Sequence, residues 1–256
     1  MSKVIACYKW VVDEADIRIK SDLSLDISKA KWKISDYDKN AIEAAVQVAR
    51  TLGGKAATLT FGGANAKQSL KDALSRGPAE GYWINSQLAE AADGFVTVKA
   101  LAAAINKIAN TSLVICAEGS SDVYARQTAP RLGAVLDWPV ITSVCKIEIN
   151  GNTLTAQKKM DDCIETVVVE LPAIVAVLPE INEAPLPNLK AVIEAGRKPV
   201  TEFTAEDLGT ADTKAKVQLQ SLKAYIMKRK NITIAEGEAS CKVKELVANL
   251  KKEGVL

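Results

Sequence analysis

An α/β fold, with a mostly parallel sheet and helices on both faces, is predicted by two observations. Short apolar runs alternate with segments of helical period through the first half of the chain, and the first two of those helical segments end at a glycine. Repeated units of this kind place strands side by side and in parallel. At 256 residues the chain is long enough to bury one substantial core with a smaller appendage.

The elements follow in order. "KVIACY" reads as a strand, and "DKNAIEAAVQVARTLG" as a helix with Ala41, Ile42, Ala45, Val48 and Leu52 near helical spacing and Gly53 as its stop. "KAATLTF" is the next strand, "ANAKQSLKDALSRG" the next helix, ended by Gly77. "YWIN" and "VTVKALAAAINKIAN" repeat the pattern, as do "SLVICA" and a helix running to about Leu136. After Trp138 the pattern changes. Asn150-Gly151 sits between two alternating runs, a hairpin signal, and "IETVVVELPAIVAVL" is expected to return to the sheet, leaving the hairpin as an insertion on one edge. From Pro179 a proline-rich segment leads into a long, weakly periodic stretch. The chain closes on an amphipathic helix with Val243, Leu246, Val247 and Leu250 on one face. The expected division is an α/β domain over residues 1–199 and an arm over 200–256 that packs on a partner.

Composition narrows the chemistry. Nearly half the residues are apolar, a quarter are charged, and the net charge is +2. Apart from "KRK" at 228–230 no basic run stands out, so nucleic acid is not an expected partner. No apolar stretch is long enough to span a bilayer. The opening "MSKVIACYKW" has no secretory pattern, and the five dispersed cysteines include no C-x-x-C pair, so a reducing cytoplasm is expected. Three of the cysteines lie in strand-like runs and read as small buried hydrophobes. There is no histidine. Imidazole-based triads, shuttles and metal sites are therefore excluded, and any activity uses carboxylates, lysine, thiols or a cofactor.

The stretch "AEGSSDVYARQTAP" (117–130) lies between a buried strand and a helix. A helix starting near Ser121 or Asp122 would offer unpaired N–H groups to an anion, Gly119 would let the backbone approach, and the Ser120 and Ser121 hydroxyls would donate. Asp122 would repel a phosphate and is given a capping or ribose-facing role. The bland alternative, that Ser-Ser-Asp only caps a helix, stands beside it. In a parallel sheet "WKISDYDKN", "FGGANAKQS" and the residues after the first strand would gather at the same edge, which favours a nucleotide. Neither G-x-x-x-x-G-K-[ST] nor G-x-G-x-x-G is present, and "FGGANAKQS" lacks the serine and aspartate of an ATP-pyrophosphatase loop. A site that holds an adenine nucleotide without cleaving it fits better.

The stretch 156–176 is similar to the signature of electron transfer flavoprotein β subunits, with Lys158, Asp161, Asp162, Glu165, Val167, Pro172, Ile174, Val175 and Ala176 filling its pattern. Cys163 departs from it at an expected turn. "KVIACYKWVVDEADIRI", "KISDYDKNAIEAAVQVA", "LSRGPAE", "INEAPLPNLKAVIEAGRKPV" and "TEFTAEDLG" resemble further segments of the family, and the Gly-Ser-Ser-Asp-x-Tyr loop resembles its FixA-type branch. The resemblance implies an adenine-nucleotide-binding, HUP-like Rossmannoid fold. It also implies an electron carrier without bond chemistry of its own, in a heterodimer with a FixB-like α subunit that holds FAD. Electrons would enter from an acyl-CoA-type dehydrogenase or NADH and leave to a quinone oxidoreductase or another acceptor. The β-subunit site would hold AMP, or a second FAD in bifurcating members. By position its contacts would be Cys7, Ser35, Asp36, Tyr37, Asp38, Phe61, and Ala117 to Thr128, including Gly119, Ser120, Ser121, Asp122, Val123, Tyr124, Ala125 and Gln127. Tyr37 would approach the α-subunit flavin. Val123 and Tyr124 replace Gly and Asp of the bifurcating loop, which leans toward AMP. Leu189 would anchor partner dehydrogenases, flanked by Glu183 and Asn188, although Pro185-Leu186 stands where Arg-Tyr is usual. Without the resemblance, Leu189 reads as core and Tyr37 as a half-buried aromatic. The Lys and Arg of "EAGRKPV" complement their own helix terminus. The rival readings are a stand-alone nucleotide-dependent enzyme or sensor, and an adaptor that binds no nucleotide.

Overall fold

In strand β1 (Lys3–Cys7) successive side chains enter opposite layers, Val4 and Ala6 on one side of the sheet and Ile5 and Cys7 on the other, all buried. The computed structural model describes residues 2–226 and 229–256, so Lys228 of the "KRK" run lies outside the described residues. Four short strands follow, β2 (Trp10–Val12), β3 (Arg18–Ile19), β4 (Leu25–Asp26) and β5 (Trp32–Ile34). They form two nested antiparallel ribbons, β2 with β5 and β3 with β4. Then α1 (Asp36–Thr51), β6 (Lys55–Gly62), α2 (Ser69–Ser75), β7 (Glu80–Asn85), α3 (Gly94–Lys107), β8 (Thr111–Ala117) and α4 (Thr128–Leu136) alternate as the periodicity predicts. The remainder is β9 (Val140–Asn150), β10 (Thr153–Lys159), β11 (Ile164–Glu170), β12 (Ala173–Val177), α5 (Leu189–Ala195), β13 (Val200–Thr204) and α6 (Ala239–Lys252).

Among the described residues nine strands make the main sheet in the order β11-β10-β9-β12-β8-β1-β6-β7-β13, parallel from β9 to β13. From β1 the chain builds outward through β6 and β7, then returns to lay β8 on β1's other side. The strand order therefore reverses at β1 and β8, the position where open α/β sheets bind ligands at the carboxyl ends of their strands. On one face α1 buries Ala41, Ile42 and Ala45 over Val4, Ile115 and Val175. On the other, α3 and α4 bury Leu101, Ile105 and Leu132 over Ile5, Leu59 and Val114.

Two expectations change. The run "IETVVVE" does not return to the sheet centre. It is β11, the outermost strand of an antiparallel meander, and only β12 comes back beside β8. Burial gives the reason: Val167 and Val169 face the core while Ile164 and Val168 stay exposed, an edge pattern, whereas all five residues of β12 are buried. The turn between β10 and β11 falls at Met160–Cys163, with the Met160 N–H on the Cys163 carbonyl. The sheet also runs past residue 199, because β13 pairs with β7 and stacks Phe203 on Tyr82, ring centres 6.0 Å apart. Of the cysteines, Cys7 and Cys116 are buried and Cys145 is half-buried.

Between Asp212 and α6 the described residues form no helix or strand, apart from a bridge between Ser24 and Lys223. The Asp93 carboxylate accepts from the Lys216 and Val217 N–H groups, and the Ala224 N–H donates to the Leu23 carbonyl. Val217, Leu219, Leu222, Tyr225 and Ile226 are all exposed, as are Val243, Leu246 and Val247 of α6. Among the described residues no helix is long and apolar enough to cross a membrane.

The packing of α4 on β9 permits a direct check. A Cβ on Gly133 would stand 2.0 Å from Val140 Cγ2 and 3.0 Å from the Trp138 carbonyl oxygen, which is backbone and cannot yield. Gly133→Ala is expected to destabilise the fold by about 1–3 kcal/mol, read as a lower urea midpoint at unchanged slope.

Candidate functional site

The carboxyl ends of β8, β1 and β6 lie side by side, and the segments after β8, β1 and β5 bond to one another. The Lys9 N–H, just past β1, donates to Asp38 Oδ2 at 2.8 Å, and the Lys9 ammonium pairs with Asp122 at 2.5 Å. The Ser121 N–H donates to Ser35 Oγ at 3.1 Å. Ser35 is the N-cap residue of α1, yet its side chain caps no N–H of that helix, since its hydroxyl is turned to the loop after β8.

That loop is not helical. The expected start near Ser121 or Asp122 is corrected to Thr128. Tyr124 and Arg126 have φ of +48° and +57°, which an α-helix does not accommodate. Asp122 caps no helix: its Oδ1 accepts from the Ser120 hydroxyl at 2.5 Å and from the Val123 N–H at 2.9 Å, while Oδ2 holds Lys9. The helix terminus facing this region is that of α4, whose N-cap, Gln127, makes no side-chain capping bond. Gly119 also has a different reason from the one expected. A Cβ there would meet the Tyr124 ring at 2.7 Å, so the glycine makes room for that ring, which sits edge-on to Tyr37 with centres 5.4 Å apart.

A second clasp anchors the loop. Buried Glu118 accepts from Arg126 Nη2 at 2.9 Å and Nε at 3.1 Å, and its other oxygen accepts from the Ser143 N–H on β9 at 2.7 Å. Ser143 is itself at positive φ, +58°.

The two carboxyls titrate in opposite directions. Burial pushes the Asp38 carboxyl up to about 7, against the opposing pull of the Lys9 N–H, the Ser35 hydroxyl and the Lys9 charge. Burial also acts to raise Asp122, but Lys9 and the Ser120 hydroxyl outweigh it and hold that group below its ordinary value. The Ser121 hydroxyl oxygen is buried without a hydrogen-bond partner among the described residues.

The structure thus brings Ser35, Asp38, Ser120, Ser121 and Asp122 into one bonded network, with Tyr37 and Tyr124 beside it. Cys7 and Cys116 pack below with half-buried Phe61. Val123, Ala125 and Gln127 are exposed along the loop. Sequence reasoning missed Lys9, which joins two of the three segments; its signal was a single basic residue two positions past a buried strand. Ser143 was missed as well.

Leu189, Glu183 and Asn188 lie outside this network, in the segment leading into α5. Asn188 caps α5 through the Ala191 N–H, and Leu189 is 76% exposed, not core. The segment is tied to α1 at its base. Asn40 Nδ2 donates to the Asn182 carbonyl at 2.7 Å, and Asn182 Nδ2 donates back to the Asn40 carbonyl at 3.0 Å. Lys198 donates to the Leu74 and Pro78 carbonyls at the end of α2 rather than complementing its own helix. Among the described residues no cluster of three or more metal-ligating side chains forms.

Hydroxyls, two carboxyls and one lysine gather at the switch point of the sheet, where open α/β sheets bind ligands. Residues 22–208 match the family model of the electron transfer flavoprotein domain.

Proposed function

Since the chain belongs to the electron transfer flavoprotein family by that match over residues 22–208, we propose that it is a FixA-type β subunit. Its partner is an α subunit that holds FAD, and the pair relays electrons in the cytoplasm from a dehydrogenase or NADH to a quinone oxidoreductase or other acceptor. The observation that carries this reading is the arm. A segment without helix or strand that exposes Val217, Leu219, Leu222, Tyr225 and Ile226, followed by a helix that exposes Val243, Leu246 and Val247, suits a heterodimer better than a stand-alone enzyme. The cofactor performs the redox step, and this chain positions and tunes it.

In this reading Cys7, Ser35–Asp38, Phe61 and Ala117–Thr128 surround AMP. The Tyr124 ring, packed edge-on to Tyr37, is bulkier than the Asp of the bifurcating loop, which favours AMP over a second FAD. The segment around Leu189 offers an apolar anchor to the electron-donating dehydrogenase, with Leu186 and Ile193 exposed near it.

The test is co-expression with the α subunit, then quantification of flavin and adenylate released on denaturation. One FAD and one AMP per heterodimer are expected. Two FAD would convert the reading to a bifurcating member. A monomer carrying nucleotide but no flavin would favour the stand-alone enzyme or sensor, and a chain without any adenine compound the adaptor.

A further inference from the structure

Asp38 is a carboxyl group sealed under the site without a counter-ion. It is 5% exposed and forms no ion pair among the described residues. The ammonium that could serve it, on Lys9, is committed to Asp122 at 2.5 Å, leaving Asp38 only the Lys9 backbone N–H at 2.8 Å and the neighbouring Ser35 hydroxyl. The other groups facing it are Tyr8 past β1, Asp122 on the loop after β8 and Cys116 at the end of β8. On its own helix Asp36 is paired with Lys33 and Lys39. Asp122 adds a second negative charge, and neither Tyr8 nor Cys116 offers a positive one.

An anionic ligand entering between these segments meets two carboxyls and one lysine. The Lys9–Asp122 pair is partly exposed, and turning its ammonium toward the ligand would leave Asp122 uncompensated beside Asp38, whereas adding a proton to Asp38 removes a negative charge that the fold already solvates poorly. We propose that Asp38 takes up a proton when the site binds an anionic adenylate, so that nucleotide binding is linked to pH through this one side chain. The inference rests on the adenylate reading of the site. The proton comes from solvent, no covalent bond to the ligand forms, and the neutral acid keeps its carbonyl oxygen for the Lys9 N–H while gaining a donor.

The burial that pushes Asp38 up to about 7 makes the effect accessible near neutrality. With the acid form favoured further in the complex, affinity rises as pH falls. Linkage limits the gain to about tenfold per pH unit for one proton.

The probe is AMP, titrated calorimetrically into the full-length chain freed of nucleotide, from pH 8 to pH 6, for the wild type and Asp38→Asn. The wild type is expected to tighten by up to about tenfold more than the variant over this range. The titration of the AMP phosphate near pH 6 is common to both proteins and cancels in the comparison. At pH 8, where that phosphate is already ionised, two buffers of different ionisation enthalpy should report uptake of close to one proton by the wild type. This second measurement stands even if Asp38→Asn fails to fold. Equal pH profiles, or no proton uptake at pH 8, overturn the inference and leave the adenylate reading intact. Absence of AMP binding at every pH overturns both.

Discussion

A chain truncated after Asp212 is expected to keep its folded sheet and to lose the proposed flavin-bearing α subunit. The last strand, β13, ends at Thr204, and the turn after it closes with buried Leu208 and Thr210, so the cut spares the core. What it removes is held to the body by the Asp93 carboxylate, the Ala224–Leu23 hydrogen bond and the bridge at Ser24. Those few bonds leave Val217, Leu219, Leu222 and Ile226 each more than 60% exposed. A fully buried aliphatic side chain contributes about 1.5–3 kcal/mol, and ordering the arm offsets much of that. The net loss of affinity for the partner is expected to be at least about a hundredfold, near 3 kcal/mol. Pull-down of the α subunit and the 450 nm flavin absorbance of the product measure it. Full flavin content in the truncated complex would remove the arm from the interface.

The Glu118 clasp is expected to produce the largest effect of a single side chain. Its carboxylate is buried, and it satisfies both the Arg126 guanidinium and the Ser143 N–H. Glu118→Ala leaves that N–H without its acceptor and frees a loop containing two residues at positive φ. The expected cost is about 2–3 kcal/mol in unfolding free energy, with a parallel loss of nucleotide affinity. Glu118→Gln preserves the shape and an acceptor, and should recover part of both. Arg126→Ala removes a side chain that is itself more than half exposed, yet it leaves Glu118 buried without its cation, so it should cost more than a surface pair would. Urea midpoints at constant slope separate these cases. A clasp without structural role would leave all three variants within about 0.5 kcal/mol of wild type.

Much of the architecture was legible because its signals are strong ones. Runs such as "KVIAC", "SLVICA" and "AIVAV" are continuous and apolar because both faces of a central parallel strand are covered, and α1 and α3 carry clear helical faces. The misreadings have particular causes. Ser-Ser-Asp has the composition of a helix cap, but Asp122 bonds to its own loop and to Lys9, and the positive φ of Tyr124 and Arg126 is invisible in residues that seldom adopt it. β11 was read with β12 because both are valine-rich; the half-exposed alternation of one and the full burial of the other separate them. β13 is five residues long and exposed at three of them, too weak a pattern to draw the sheet past residue 199. The convergence of the loops could be argued from strand direction. That a lone Lys9 joins Asp38 to Asp122 depends on contacts between residues 29 and 113 positions apart, which no local pattern encodes.

The central claim is that the segments after β1, β5 and β8 enclose one adenylate. Photolabelling of the full-length chain with 8-azido-AMP, followed by peptide mapping, tests it most directly. Label confined to peptides bearing residues 7–9, 35–38 or 117–128, and suppressed by unlabelled AMP, is the predicted result. Label carried instead by the groove beyond the carboxyl ends of β7 and β13, between Asn85, Thr204 and Lys214, would contradict it.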